Sequence, residues 1–297
     1  MNAWPELRWS DWSDTCQTLH LWTQIAGKIR MQKTPLVNHW WHVPLYVTTR
    51  GLTTSPIPDG ARTFSIDFDF VDHRLRAICS DGTEHGFPLA PMSVAEFHRR
   101  TMEAVEALGV EVQINTTPSE IENPIPFEQD EQHKSYDADA AQRFWMALVQ
   151  ADRVFNAFRS RFIGKTSPVH FFWGSFDLAV TRFSGRRAPE HPGVPILPDF
   201  VTREAYSHEV SSAGFWPGGP AMDAMFYSYA YATPEGFADA KVAHGVFSKD
   251  FGEFVLPYEQ VRSAASPDDV LMEFLQSTYE AAANLGKWDR AALERAT

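Results

Sequence analysis

The stretch SPVHFFWGSFDLAVTRFSGR (167–186) sets an imidazole, a carboxylate and two guanidinium groups, His170, Asp177, Arg182 and Arg186, among large apolar side chains. Such a mixture suits a strand with one face lining a site, where aromatic walls enclose a few orienting polar groups. The plainer reading is a half-buried strand whose polar residues face water. If 170–182 runs as one strand, His170 and Arg182 share a face with Phe172, Leu178 and Val180, while Trp173, Asp177 and Thr181 share the other. Further on, REAYSHEVSSAGFWPGG (203–219) reads as a shaped loop carrying His208 and Glu209. His208 is the candidate general base, oriented by Asp177 or Glu209. His170, Asp177, His208 and Glu209 also have the donor chemistry of a His/carboxylate metal set. Neither His-Glu-x-x-His nor a cysteine pair accompanies them, so no metal ligand is assigned and the cofactor stays unknown.

For binding rather than catalysis, the candidates are His170, Trp173, Arg182 and Arg186, with Trp216 from the loop and Tyr227 and Tyr229 from DAMFYSYAYATP (223–234). His42 and Arg50 join them from NHWWHVPLYVTTRGLTT (38–54). Guanidinium groups match carboxylate geometry in pairs of hydrogen bonds, so the arginines suit an anionic group; structural pairing with Asp and Glu is the competing reading. Aromatic side chains at this density usually build core. Gly-x-Gly-x-x-Gly, Walker and Gly-x-Ser-x-Gly motifs are absent, which removes the common nucleotide and serine-hydrolase signatures.

The elements that would position these residues come twice by pattern: Gly27-Lys28, Trp41 and Thr49-Arg50 match Gly164-Lys165, Trp173 and Thr181-Arg182 in order, with the same Trp-to-Thr step and about five extra residues before Trp41 in the first copy. A helical stripe precedes each set, short around Trp12, Leu19, Trp22 and Ile25, and long over 138–162, capped by Asp137. Alternating strands follow at 62–72 and 223–234, and then helices at 93–109 and 266–286, each opening on a Ser N-cap. Gly27-Lys28 reads as a helix C-cap, and GVEVQIN (109–115) as a strand. The expected fold is α+β, with two pseudo-repeats of helix, antiparallel meander and helix. Its element order resembles the TATA-binding-protein-like and helix-grip architectures. The expected divisions are 1–117, an acidic surface linker at 118–137, and 138–297 with an insertion at 187–221, the two repeats packed as one unit.

Composition narrows the function classes. A net charge of −12 argues against nucleic acid and anionic membrane partners, which need a concentrated basic face. Hydrophobic residues at 44% of 297 supply a large core. Two cysteines in unrelated contexts, Cys16 and Cys79, read as reduced thiols. No signal-peptide pattern opens the chain, and no apolar run approaches the roughly 20 residues of a membrane span, so a cytoplasmic protein is expected.

NHWWHVPLYVTTRGLTT, SPVHFFWGSFDLAVTRFSGR, AYSHEV and EFVLPY resemble the signatures of an uncharacterised bacterial family of unknown function, from about Trp9 to Trp288. The resemblance implies one integrated unit and no particular activity. From the residues, the expected function is small-molecule binding in an aromatic-lined pocket with Arg and His anchors. The alternative is a hydrolase or metal-assisted lyase using His208 with Asp177, Glu209 and His170.

Overall fold

The computed structural model describes residues 3–295 except Ile196 and Ala221. The first half runs α1 (Ser13–Lys33), β1 (Tyr46–Val47), β2 (Gly51–Thr53), β3 (Ile57–Asp59), β4 (Arg62–Asp69), β5 (Arg74–Cys79), β6 (Glu84–Pro88) and α2 (Val94–Ala107). Its antiparallel sheet is ordered β1-β2-β4-β5-β6, with β3 paired to β4. Phe64, Ile66 and Phe68 of β4 alternate inward as their spacing predicts. Ser93 caps α2, its hydroxyl accepting from the Glu96 N–H at 3.2 Å.

The second half runs α3 (Ala138–Ser160), β7 (His170–Phe172), β8 (Asp177–Arg187), α4 (Asp199–Ala205), β9 (His208–Trp216), β10 (Met225–Tyr231), β11 (Val246–Ser248), β12 (Glu253–Pro257), α5 (Tyr258–Arg262), α6 (Pro267–Leu285) and α7 (Arg290–Leu293). The sheet order is β11-β12-β10-β9-β8-β7. Asp137 caps α3 by accepting from the Ala140 N–H at 2.9 Å, and the Phe144, Leu148, Phe155, Phe158 stripe is buried. The fold is α+β. The two sheets adjoin at the β1 and β7 ends, where Leu45 and Phe171 exchange two backbone hydrogen bonds of 2.9 Å. Trp145 of α3 donates to the Thr48 carbonyl at 3.1 Å, and one apolar core spans both halves. Among the described residues, no helix is long and apolar enough to cross a membrane.

Several local expectations are corrected. Helix α1 continues through Gly27-Lys28, so that pair is no C-cap. Gly27 instead lets the Trp173 indole lie against the helix: a Cβ there would sit 2.2 Å from Trp173 Nε1. Trp173 Nε1 donates to the Val43 carbonyl at 2.8 Å. Residues 110–115 alternate in burial but pair with no strand among the described residues. The acidic segment 118–137 is packed rather than loose, with Phe127, Asp130 and Tyr136 buried. Residues 208–216, expected inside an insertion, form β9, a central strand of the second sheet. Ser266 makes no side-chain cap bond. Arg50 lies in the turn between β1 and β2 whereas Arg182 lies within β8, so the matched Thr-Arg pairs occupy different places.

Candidate functional site

One face of the second sheet forms the floor of a cavity of about 830 Å³. Because strand side chains alternate, Asp177, Ala179, Thr181 and Phe183 of β8 face it together. The register places Ala179 beside Gly214 and Tyr227, and Thr181 beside Ser212 and Tyr229, in two rows across β8, β9 and β10. The small residues in the middle strand make the room. A Cβ on Gly214 would stand 2.3 Å from the Tyr227 hydroxyl, so glycine lets that phenol reach across to Asp177. Phe200 and Tyr206, from α4 and the residue after it, form one wall; His39, Trp40, Trp41 and Trp173 form another. His39 and Trp40 take left-handed φ values of 59° and 61°. For non-glycine residues this costs roughly 1–3 kcal/mol each, and such strain is concentrated at sites that hold ligands.

Helix α1 fixes the third side through a polar stripe at four-residue spacing. His20 Nε2 contacts the Gly174 carbonyl at 2.8 Å. Gln24 takes both backbone groups of Ser119, accepting at 2.7 Å and donating at 2.9 Å. Lys28 Nζ donates to the Thr117 carbonyl at 2.7 Å. Gln24 and Lys28 thus pin the backbone at Thr117 and Ser119, and the next residue, Glu120, enters the cavity against Gly174. Glu253, at the start of β12, enters from the far side.

The electrostatics are lopsided. Asp177 is 7% exposed, and its two oxygens accept from the Ser175 and Tyr227 hydroxyls. Burial raises its pKa, and those hydrogen bonds act against the rise. Burial and then the Asp177 charge push Glu120 and Glu253 each up to about 7. Burial and Asp177 also hold Tyr227 well above its usual range, while Tyr206 and Tyr229 share a 2.9 Å hydroxyl contact. At the opposite end His39 Nδ1 lies 3.0 Å from the Ala205 carbonyl and so carries the hydrogen, leaving Nε2 to accept from Lys165 Nζ at 2.7 Å.

A family model described as "Family of unknown function (DUF5996)" matches residues 4–295. The chain belongs to the DUF5996 family. No curated protein and no solved structure matches it.

In this DUF5996 chain Trp173, Asp177, Trp216, Tyr227 and Tyr229 line the cavity. The other residues singled out from sequence do not. The segment 170–182 is a hairpin, turning at 173–176 between β7 and β8, so His170 pairs with Ala179 and not with Arg182's face. His170 is nonetheless sealed beneath Trp41, Tyr46 and Phe172, with ring centroids at 5.8, 5.5 and 5.4 Å. Burial and the Arg30 charge draw its pKa down to about 3, so it is a neutral packing group. Arg182 lies on the opposite side of β8, its guanidinium 3.4 Å from the Phe158 ring centroid and 4.3 Å from that of Tyr279. Arg186 binds Glu209 at 2.6 Å and the Gly286 carbonyl at the end of α6. Arg50 pairs with Asp69 and Asp72, both at 2.7 Å. His42 sits behind Trp40, its Nδ1 accepting from the Val37 N–H at 3.3 Å.

Because strand β9 alternates, the adjacent His208 and Glu209 point to opposite faces. His208 lies beside His39, 5.8 Å between ring centroids, while Glu209 is held by Ser184 and Arg186 on the reverse side. His208, Asp177 and Glu209 therefore do not converge. Among the described residues no three His, Cys, Asp or Glu side chains group as a metal site. Sequence reasoning missed Glu120, Glu253, Tyr206 and Trp40. The His20, Gln24, Lys28 spacing within a buried helix was the one local signal that polar groups were needed there.

Proposed function

We propose that the cavity binds a small organic molecule. The carrying observation is a cavity of about 830 Å³, within the range of drug-sized ligand sites, walled by Trp173, Trp216, Tyr227 and Tyr229 around the buried Asp177 carboxylate. Flat aromatic walls favour a ligand with an apolar or planar body, and the small set of polar groups orients it. The separation of His208 from Asp177 and Glu209 gives the hydrolase or lyase reading no comparable support.

Native mass spectrometry of gently purified protein, set against its denatured mass, tests the reading. An organic adduct lost on denaturation is expected. Ala179→Leu, which adds bulk to the cavity floor, is expected to abolish that adduct while the protein stays folded by circular dichroism. An adduct retained by the folded Ala179→Leu variant overturns the assignment to this cavity.

A further inference from the structure

We propose that the ligand is a protonated organic amine, drawn by the negative field of Asp177, Glu120 and Glu253 and with its body against Trp173 and Trp216. The inference rests on the cavity being a binding site and adds the chemical class of its occupant.

Three carboxyl groups from three separate segments reach one cavity, yet among the described residues none of them forms an ion pair. The nearby cations are otherwise engaged. Lys28 donates to Thr117, Lys165 to His39, and Arg182 and Arg186 lie on the far side of the sheet. Asp177, 7% exposed, is met by hydroxyl donors on both oxygens, the arrangement that suits an ionised carboxylate. A buried carboxylate without a counter-charge is costly, and an ammonium bound in the cavity offsets that cost at Asp177 and stabilises the ionised forms of Glu120 and Glu253 through its field. The walls add to this, because an ammonium beside Trp and Tyr faces gains cation–π attraction. An anionic ligand meets the opposite field. Glu120 and Glu253 take up and release protons near neutrality, each raised by burial and by Asp177. The other titratable groups facing the cavity are Tyr206, Tyr227, Tyr229, Lys28 and His39. Amine binding therefore drives proton release from the two glutamates and strengthens as they ionise.

Isothermal titration with 2-phenylethylamine, 2-phenylethanol and phenylacetate, matched in their rings and near in length, separates the outcomes. The amine is expected to bind at least about tenfold more tightly than the alcohol and the acid, with its affinity falling between about pH 8 and about pH 6 as the glutamates protonate. Asp177→Asn is expected to remove the preference for the amine. Because Asp177 is buried, Glu253→Gln serves as a second variant, expected to weaken the amine and flatten its pH dependence while leaving the alcohol unchanged. Equal or tighter binding of the alcohol or the acid overturns the amine assignment and leaves the cavity reading standing. Binding of none of the three at millimolar concentration overturns both.

Discussion

Replacing Glu253 with Gln should make the protein more stable at about pH 8 and leave it nearly unchanged at about pH 4. The folded pKa of Glu253 is raised from 4.5 to about 7, by burial first and by the Asp177 charge second. Below 4.5 the carboxyl is protonated in the folded and the unfolded chain alike, and its stabilising contribution is fully present. Between 4.5 and about 7 the unfolded chain has lost the proton while the folded chain keeps it, so stability falls as pH rises; above about 7 the loss is complete. At roughly 1.4 kcal/mol per unit, the shift sets a ceiling of about 3 kcal/mol. Partial solvent access to Glu253 lowers the expected gain for the variant to about 1–2 kcal/mol at high pH. The wild-type curve alone does not isolate this. His20 and His170, lowered by burial to about 4 and about 3, protonate in the unfolded chain first and give a slope of opposite sign below their ordinary 6.5. Subtracting the urea-derived stability of wild type from that of the variant at each pH cancels the histidines. A difference that is flat with pH, or a variant less stable than wild type at about pH 8, refutes the reasoning.

Other expectations test how the cavity is built. Gly27→Ala should push the Trp173 indole off α1 and break its bond to the Val43 carbonyl, costing about 1–3 kcal/mol in urea and shifting tryptophan emission. Gln24→Ala strands the backbone N–H and carbonyl of Ser119, and should cost about 1–3 kcal/mol while loosening residues 117–120 to hydrogen exchange. Arg182→Ala should destabilise by about 3–5 kcal/mol, leaving a void between Phe158 and Tyr279 and the Phe158 carbonyl with the Arg161 N–H as its donor; Arg182→Met, which keeps the volume, should cost much less. In NMR titration the His170 ring should stay neutral down to about pH 4, since burial and Arg30 lower its pKa to about 3; protonation near its ordinary value would refute its burial beneath Trp41.

What the sequence disclosed followed periodicity. The stripe on α3, the alternation in β4 and β10, and the caps at Ser93 and Asp137 are local patterns, and the structure has them where the residues put them. What it concealed depended on partners distant in sequence. HEVSSAGFW lacks the β-branched run of a central strand because its small residues clear space for Tyr227, so β9 reads as a loop. Gly27 looks like a helix stop, yet its missing Cβ answers an indole far along the chain, at Trp173. The turn at 173–176 reverses which residues share a face with His170, and no alternation rule finds a turn built from Trp-Gly-Ser-Phe with Phe176 at φ 59°. Glu120 sits in a stretch whose acidity suggested an exposed linker; it enters the cavity because Gln24 and Lys28 on α1 bind the backbone before it.

The charged residues divide by whether the fold accounts for them. Arg50, Arg182 and Arg186 looked like ligand anchors, but none lines the cavity: Arg50 meets an acidic pair, Arg186 meets Glu209 and a helix end, and Arg182 stacks in an aromatic box behind the sheet with its Nε unpartnered. Glu120, Asp177 and Glu253 do line it, and Asp177 is met there by two hydroxyls and by no cation. Each is raised by burial, the two glutamates are further raised by Asp177, and among the described residues no cation answers them. A fold selected for stability alone would replace such carboxyls with apolar or amide groups, since most sites tolerate stabilising exchange. Groups that oppose folding are retained where a ligand makes use of them. By that criterion the function of this protein lies with the acids of the cavity and not with its arginines, and a ligand that neutralises them should raise stability most at the pH where the unliganded protein is weakened most.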